Sequence, residues 1–207
     1  MAALHTRTDT TAGVAGATPT TVPTGVTTGP AAVTLAAPTP VVGETTREKA
    51  VRYTLAGLRL ALGWVFLWAF LDKMFGFGFA TPEARAWING GKPTAGFLKG
   101  VEGPFAGFYN GISGAAWADW LFMAALLGVG FALIAGIGLR IAAVAGGLLL
   151  VMMWTASLPL DNNPFLDDHL VYAGLLVLIA LAKAGDTLGL GRWWATIPLV
   201  KRAPILK

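Results

Sequence analysis

The chain lacks cysteine and is poor in charged residues, and each shortage excludes a class of proteins. None of its 207 residues is cysteine, which excludes disulfides, thiolate-bound metals, iron–sulfur clusters and Cys-x-x-Cys redox sites. Charged residues make up 13% of the chain and hydrophobic residues 55%, whereas a soluble domain carries about 25% charged residues. The composition therefore predicts an integral membrane protein, and the length predicts one folded domain.

Ligands and motifs for an intrinsic cofactor are also missing. A haem held by two histidines needs a pair of placed imidazoles, but His5 lies near the N-terminus and only His169 adjoins an apolar segment. No Gly-x-Gly-x-x-Gly pattern occurs where a strand would turn into a helix, which argues against a bound flavin or nucleotide. The sequence therefore predicts no intrinsic haem, flavin, metal or iron–sulfur cluster. Electron transfer would need a bound quinone or a partner subunit that supplies the cofactor.

Both ends of the chain differ in composition from its centre. Residues 1–46 are rich in threonine, alanine, proline, glycine and valine and offer few side chains that could form a core. They lack the basic start and apolar centre of a signal peptide. We interpret them as a disordered cytoplasmic tail, either dispensable or able to dock a partner. Residues 185–207 include Arg192-Trp193-Trp194 and are predicted to form a cytoplasmic interfacial tail.

Four apolar runs reach or approach the roughly 20 apolar residues that a membrane-spanning helix needs. They are residues 53–71, 120–139, 141–160 and 170–182. The last run is short, and His169 and Lys183 would extend it at its two ends. Glycine and alanine are frequent in the second and third runs, and small residues let helices approach closely in lipid. The sequence therefore predicts an all-α, antiparallel four-helix membrane bundle over residues 47–184.

The basic residues are distributed unevenly between the two predicted sides of the membrane. Ten lie on the side of both termini: Arg7, Arg47, Lys49, Arg52, Arg140, Lys183, Arg192, Lys201, Arg202 and Lys207. Four lie on the other side: Lys73, Arg85, Lys92 and Lys99. Cytoplasmic loops carry an excess of lysine and arginine, so both termini are predicted to be cytoplasmic. The net charge of +4 thus reflects membrane topology and does not indicate a nucleic-acid partner.

Residues 76–118 are too many for a simple connection and too irregular for a membrane span. Thr81-Pro82-Glu83 is typical of a helix start, since threonine caps helices and proline suits their first position. A second short helix is predicted near residues 93–100. Aromatic side chains in this stretch suit the bilayer interface. We expect an outer loop with short interfacial helices, either a plain interfacial loop or a lid over a binding pocket.

The most distinctive polar segment is residues 161–169, which holds Asn163, Asp167, Asp168 and His169 between two uncharged runs. One interpretation is structural: an aspartate caps the following helix, and the asparagines and proline form a turn. The other is functional: His169 shuttles protons beside a bound quinone or small anion, because histidine titrates near neutral pH. Asp168 would then orient His169 or share its proton.

Two further charged groups lie in or beside the first apolar run. Asp72 and Lys73 end it on the same predicted side as His169, where Lys73 could hold negative charge. Arg59 is the one charge well inside a run, roughly 10 Å beyond Arg52 along a helix. It either extends toward the interface or pairs structurally, or it contacts a ligand. We predict catalytic roles for Asp168 and His169, and substrate or quinone binding by Arg59, Asp72, Lys73, Asn163 and Asp167.

Three segments resemble a known family: residues 58–73 (LRLALGWVFLWAFLDK), 93–98 (PTAGFL) and 163–172 (NPFLDDHLVY). Together they resemble the DoxX family of membrane proteins, and within it members related to the DoxD subunit of thiosulfate:quinone oxidoreductase. The resemblance covers residues 51–183. It implies a four-helix protein of a prokaryotic plasma membrane that works with a second subunit. The activity it implies passes electrons from thiosulfate to a membrane quinone and forms tetrathionate.

Three functions follow as alternatives. The first is the membrane subunit of a quinone-linked oxidoreductase that acts at the outer face on thiosulfate or a related small sulfur compound. The second is a non-enzymatic scaffold that anchors redox or stress-response proteins, which the missing cofactor ligands favour. The third is a small transporter, disfavoured because the runs show no inverted repeat of broken helices. All three place the chain in the lipid bilayer, and each is compatible with a homo-oligomer.

Overall fold

The computed structural model describes residues 43–206, and this part of the chain is all-helical. Its α-helices are α1 (Thr46–Phe75), α2 (Ala95–Leu98), α3 (Ala106–Ile112), α4 (Ala116–Ala135), α5 (Leu139–Ala156), α6 (Asp168–Leu181), α7 (Gly191–Trp194) and α8 (Pro198–Arg202). Short 3-10 helices cover Glu83–Arg85, Trp87–Asn89, Ala184–Asp186 and Pro204–Leu206. The predicted all-α class is confirmed for these residues. Most of the predicted disordered tail, residues 1–42, lies outside the described range.

The helix α1 is longer at both ends than the predicted span 53–71. At its start, the Thr45 side chain accepts a hydrogen bond from the Glu48 N–H, while the Glu48 carboxylate accepts from the Thr45 N–H. This capping box satisfies helix amides that would otherwise lack partners, so α1 begins before the apolar run does. At its end, Gly76 takes a left-handed conformation with φ 70°, which glycine adopts without steric cost.

The turn between α4 and α5 lies at other residues than their apolar runs indicate. Gly136 (φ 74°) ends α4 and Gly138 (φ 59°) precedes α5, so the turn lies before Arg140, the residue that separates the two apolar runs. At its other end α5 stops at Ala156, although the apolar run continues to Leu160. Pro159 explains the early stop, because the residue before a proline is disfavoured in helical conformation.

Within residues 43–206, three helices are long and apolar enough to cross a bilayer: α1, α4 and α5. The fourth predicted span corresponds to α6, which is apolar but has only 14 residues. The helix α1 packs mainly against α4. The helix α5 packs against α4 on one side and, more extensively, against α6. Two buried residues of α6, Leu176 and Ile179, join the same hydrophobic core as Leu62 and Met123. The structure thus agrees with a membrane protein built on packed apolar helices.

Glycines set the distance between these helices. A Cβ atom on Gly130 of α4 would lie 2.8 Å from the backbone nitrogen of Leu67 in α1. A Cβ atom on Gly146 of α5 would lie 2.8 Å from Leu176 Cδ1 in α6. Nonbonded atoms rarely approach that closely. At Gly130 the neighbour is backbone and leaves no room for a side chain, whereas at Gly146 it is the end of a leucine side chain, which can shift.

The two ends of the helix bundle carry different structures. One end, called here the loop end, carries residues 76–115, which we call the lid, and the turn of residues 157–167. The opposite end, the hairpin end, carries the α4–α5 turn and the C-terminal segment with α7 and α8. The predicted short helices of the lid are present, although its first 3-10 helix follows Pro82 without a side-chain cap from Thr81. Arg140 of α5 donates a 2.8 Å hydrogen bond to the Pro204 carbonyl, which ties the C-terminal segment to the hairpin end.

Candidate functional site

The lid is fastened across the loop end by contacts with both α4 and α5. Trp87 packs edge-on against Trp120 of α4, with ring centroids 4.6 Å apart. The Tyr109 hydroxyl donates a 2.9 Å hydrogen bond to the Met152 carbonyl of α5. These attachments favour the lid alternative for residues 76–115 over a plain interfacial loop.

Asp119, in the first turn of α4, makes the most buried polar attachment of the lid. Its Oδ1 atom accepts hydrogen bonds from the Thr94 N–H at 2.9 Å and the Thr94 hydroxyl at 2.7 Å. Both residues are buried. A carboxylate is favoured in a helix's first turn, because the amides there carry partial positive charge. No role was assigned to Asp119 from the sequence. Its position just before the second apolar run is the feature that could have indicated one.

Replacing Asp119 with alanine should loosen the lid. The Thr94 N–H and hydroxyl would lose their buried acceptor, at a cost of about 1–3 kcal/mol for local opening. We expect faster proteolysis of residues 76–115 and faster amide exchange at Thr94, with the helices unchanged. Asp119→Asn keeps an oxygen acceptor and should lose less. Glu102→Ala removes an exposed lid carboxylate and is the control; equal cleavage in the Ala variants would contradict the assignment.

Under the lid lies a cavity of about 640 Å³, which we call the loop-end cavity. Its wall is formed by apolar residues of α4 and α5, among them Leu121, Phe122, Leu148 and Met152. Its roof is formed by the lid, including Phe97, Phe108 and Tyr109. Pockets for small organic ligands have volumes of about 300–1,000 Å³ and are mostly apolar with a few polar groups. The loop-end cavity matches that description.

Three basic side chains provide the charged groups of the cavity lining: Lys73, Arg85 and Lys92. Lys73, in the last turn of α1, places its ammonium 5.9 Å from the centroid of the Phe122 ring. Its neighbour Asp72 is buried and turned away, accepting hydrogen bonds from the Phe79 and Ala80 N–H groups. Among residues 43–206, none of the three cations lies in an ion pair.

The segment predicted to handle protons forms a compact cluster at the start of α6. His169 Nδ1 lies 2.6 Å from Asp167 Oδ2 and 3.6 Å from Asp168 Oδ1. The other Asp167 oxygen accepts a 3.3 Å hydrogen bond from the Leu170 N–H. Asp167 therefore caps α6 and orients the imidazole at once, whereas Asp168, expected to orient it, is the more distant carboxylate. Asn163 Oδ1 accepts hydrogen bonds from the N–H groups of Phe165 and Leu166 and so stabilises the turn of residues 163–166.

The same cluster has the spacing of a small metal site, because ligand atoms of Asp167, Asp168 and His169 lie within 4.8 Å of one another. The capping bond to α6 and the His169 pairing already occupy both Asp167 oxygens. The local contacts thus account for Asp167 without an ion.

Arg59 lies at the hairpin end, far along α1 from Lys73, and its guanidinium binds backbone. It is fully buried and donates hydrogen bonds to the carbonyls of Leu133 and Ile134, in the last turn of α4. It also donates to the carbonyls of Thr187 at 3.3 Å and Leu188 at 2.7 Å. The last carbonyls of a helix lack partners within the helix, and a cation there is favourable. These contacts correspond to the structural alternative for Arg59.

The structure thus divides the predicted site residues among four places. Lys73 lines the loop-end cavity, and none of the other six, all within the described range, does so. Asn163 and Asp167 belong to the turn before α6, and Asp168 and His169 begin the helix itself. Asp72 holds the start of the lid, and Arg59 closes the hairpin end.

No protein-family model, curated protein or solved structure matches this chain.

Sequence reasoning missed Arg85 and Lys92 as members of the site. From the sequence, both residues indicated only the orientation of the chain in the membrane. The sequence feature that could have identified them is the scarcity of basic residues in this part of the chain. Residues 72–118 contain four, and three of these line one cavity.

Proposed function

We propose that this chain is the membrane subunit of a quinone-linked oxidoreductase and that the quinone occupies the loop-end cavity. The observation that carries the proposal is the cavity itself, with its apolar wall and its basic groups. Quinones have an apolar tail and a ring whose two carbonyl oxygens accept hydrogen bonds. The cavity offers surface for the first and donors for the second.

A quinone dissolved in the bilayer could enter the cavity from the side. Two wall residues, Leu121 of α4 and Leu148 of α5, remain 66% and 62% exposed on the apolar surface of the bundle. They line the cavity and also face the surroundings of the helices. A ligand can therefore move from lipid to the cavity along apolar side chains without crossing water.

Reduction of a quinone to its quinol takes up two electrons and two protons. The family resemblance suggests that oxidation of two thiosulfate ions to tetrathionate supplies the two electrons, in a second subunit. The two protons come from water at the loop end, and we assign exchange of protons with that water to the His169–Asp167 pair, which is hydrogen-bonded, partly exposed and outside the cavity lining. In this proposal α6 completes a four-span bundle in a prokaryotic plasma membrane, both termini are cytoplasmic, and the loop end faces outward.

Filling the cavity should weaken quinone binding. Ala125 of α4 lines the cavity, so Ala125→Phe would place a ring where the ligand lies. We expect about a tenfold rise in the dissociation constant, which corresponds to roughly 1.4 kcal/mol. The measurement is quenching of tryptophan fluorescence by a short-chain ubiquinone or menaquinone analogue added to the purified protein.

The neighbouring residue provides a matched control. Ala124 is exposed on α4 and lies outside the cavity lining, so Ala124→Phe should leave quinone binding unchanged. Thiosulfate-dependent quinone reduction is then measured in membranes with the native chain and with each variant. If the quinone analogue does not bind, or binds equally to both variants, the proposal fails. The scaffold alternative would then be pursued through recovered partner proteins.

A further inference from the structure

The lining of the loop-end cavity includes three of the four basic residues between residues 72 and 118. Lys73, Arg85 and Lys92 line the cavity, whereas Lys99, the fourth basic residue of residues 72–118, does not. No aspartate or glutamate lies among the lining residues. The three cations come from different elements: the last turn of α1, a 3-10 helix of the lid and the segment before α2. The fold therefore brings them together.

The nearby acids are committed to backbone and hydroxyl donors. Asp72 accepts from the N–H groups of Phe79 and Ala80 at 3.3 and 3.0 Å. Asp119 accepts both hydrogen bonds that Thr94 donates. These buried carboxylates hold the lid in place and give their oxygens to uncharged partners. The lining itself thus carries three cations and no carboxylate, and none of the three cations lies in an ion pair among the described residues.

We propose that the loop-end cavity binds an amphiphile with an acidic head group, in competition with the quinone. The head group lies among Lys73, Arg85 and Lys92, and the hydrocarbon tail lies against the wall formed by α4 and α5. The inference rests on the proposed function only in treating this cavity as the ligand site. It adds that the charge of the ligand decides its affinity.

Both parts of the ligand follow from the lining. A cleft lined by charges of one sign beside low-dielectric walls attracts ions of the opposite sign more strongly than an open surface does. A free anion would leave the apolar wall without a partner, and an uncharged chain would leave the three cations to water alone, since Arg85 and Lys92 are exposed. A carboxylate or phosphate attached to a hydrocarbon tail meets both requirements. Such a molecule can come from the bilayer as a lipid or from solution as a fatty acid.

The test compares ligands that differ in one feature. Purified protein in uncharged detergent is titrated with a fluorescent fatty acid, which is then displaced by oleate, oleyl alcohol, phosphatidylglycerol or inorganic phosphate. We expect oleate to displace the probe at concentrations at least about tenfold lower than oleyl alcohol, which has the same tail without the charge. Inorganic phosphate should not displace it. If phosphatidylglycerol displaces better than oleate, the ligand is a lipid; the reverse order assigns a fatty acid.

Substitutions then locate the charge effect. Lys73→Gln should weaken oleate binding about tenfold, and Lys73→Arg should restore most of it, because it retains the charge. Lys99→Gln removes a lid cation outside the cavity and should leave binding unchanged. Raising the ionic strength should weaken oleate binding to the native chain more than to Lys73→Gln.

Equal affinity for oleate and oleyl alcohol, or equal effects of Lys73→Gln and Lys99→Gln, would overturn the inference. Displacement by inorganic phosphate as effective as by oleate would overturn its amphiphile part. The outcome for the proposed function is separate. Quinone binding that Ala125→Phe weakens, without charge-dependent oleate binding, supports the quinone site and rejects this inference. Charge-dependent oleate binding without quinone binding supports this inference and rejects the quinone site.

Discussion

Replacing Arg59 with leucine should destabilise the fold by about 3–5 kcal/mol. The guanidinium is 0% exposed and donates to four backbone carbonyls from two separate parts of the chain. Leucine would leave these carbonyls without donors in a buried place, where each unsatisfied group costs about 1–3 kcal/mol. Part of that cost is recovered as the segment rearranges, so the net value falls below the sum.

The reason for so large an effect is that Arg59 completes the end of α4. The Ala132 carbonyl accepts from the Gly136 N–H, and the Ala135 carbonyl accepts from the Leu190 N–H. The two carbonyls between them accept from Arg59. Without the guanidinium, the last turn of α4 and the segment 187–190 would lose their common partner.

Thermal stability in detergent, followed by size-exclusion chromatography of heated samples, measures this loss. Arg52→Leu is the matched control, because Arg52 lies two turns earlier on α1 and forms a half-exposed ion pair with Glu44. Exposed pairs contribute less than about 1 kcal/mol, so this variant should remain near the native value. Arg59→Lys should be intermediate, since an ammonium cannot reach both carbonyl pairs as a planar guanidinium does. Equal stability of the two leucine variants would refute the assignment.

Gly130→Leu should force α1 and α4 apart and cost about 3 kcal/mol. The first side-chain carbon alone would lie 2.8 Å from the Leu67 nitrogen and 3.1 Å from the Leu67 Cα. These are backbone atoms, which cannot move aside as the end of a flexible side chain can. Overpacking a close contact typically costs about 1–3 kcal/mol, and a full leucine side chain lies at the upper end.

Gly128, two residues earlier on α4, provides the comparison. A Cβ atom there meets nothing within 4 Å, because the residue faces away from the neighbouring helices. Gly128→Leu should therefore be neutral or slightly stabilising, since glycine is about 1 kcal/mol less favourable than a good helix former. The same thermal assay reports both variants, and a stable Gly130→Leu protein would show that α1 and α4 are not held at this distance.

The sequence predicted the helices better than it predicted where they end. Apolar runs with at most one charge sufficed to place α1, α4, α5 and α6, because lipid-compatible composition is a property of the run itself. Helix ends depend on single residues instead. The capping box at Thr45 and the left-handed Gly136 moved the boundaries by several residues.

The candidate site was less accessible from sequence because it depends on tertiary contacts. The local motif at 163–169 was found, and its structural interpretation was largely right: Asp167 caps α6 and Asn163 shapes the turn. The cavity could not be found, since it combines Lys73, Arg85 and Lys92 from three elements with a wall from two more. Arg59 stood out as a charge in an apolar run, but its partners are backbone carbonyls, which any sequence supplies.

The short helix α6 has a consequence for the surrounding lipid. Its 14 residues rise about 21 Å, whereas the hydrocarbon layer of a bilayer is about 30 Å thick. Tilting cannot compensate, because a tilted helix reaches a shorter distance across the bilayer than an upright one. In the proposed four-span bundle, lipids beside α6 would therefore compress toward it, and the membrane would be locally thinned on this flank. Such hydrophobic mismatch favours residence in thinner membranes, or burial of this flank against another protein.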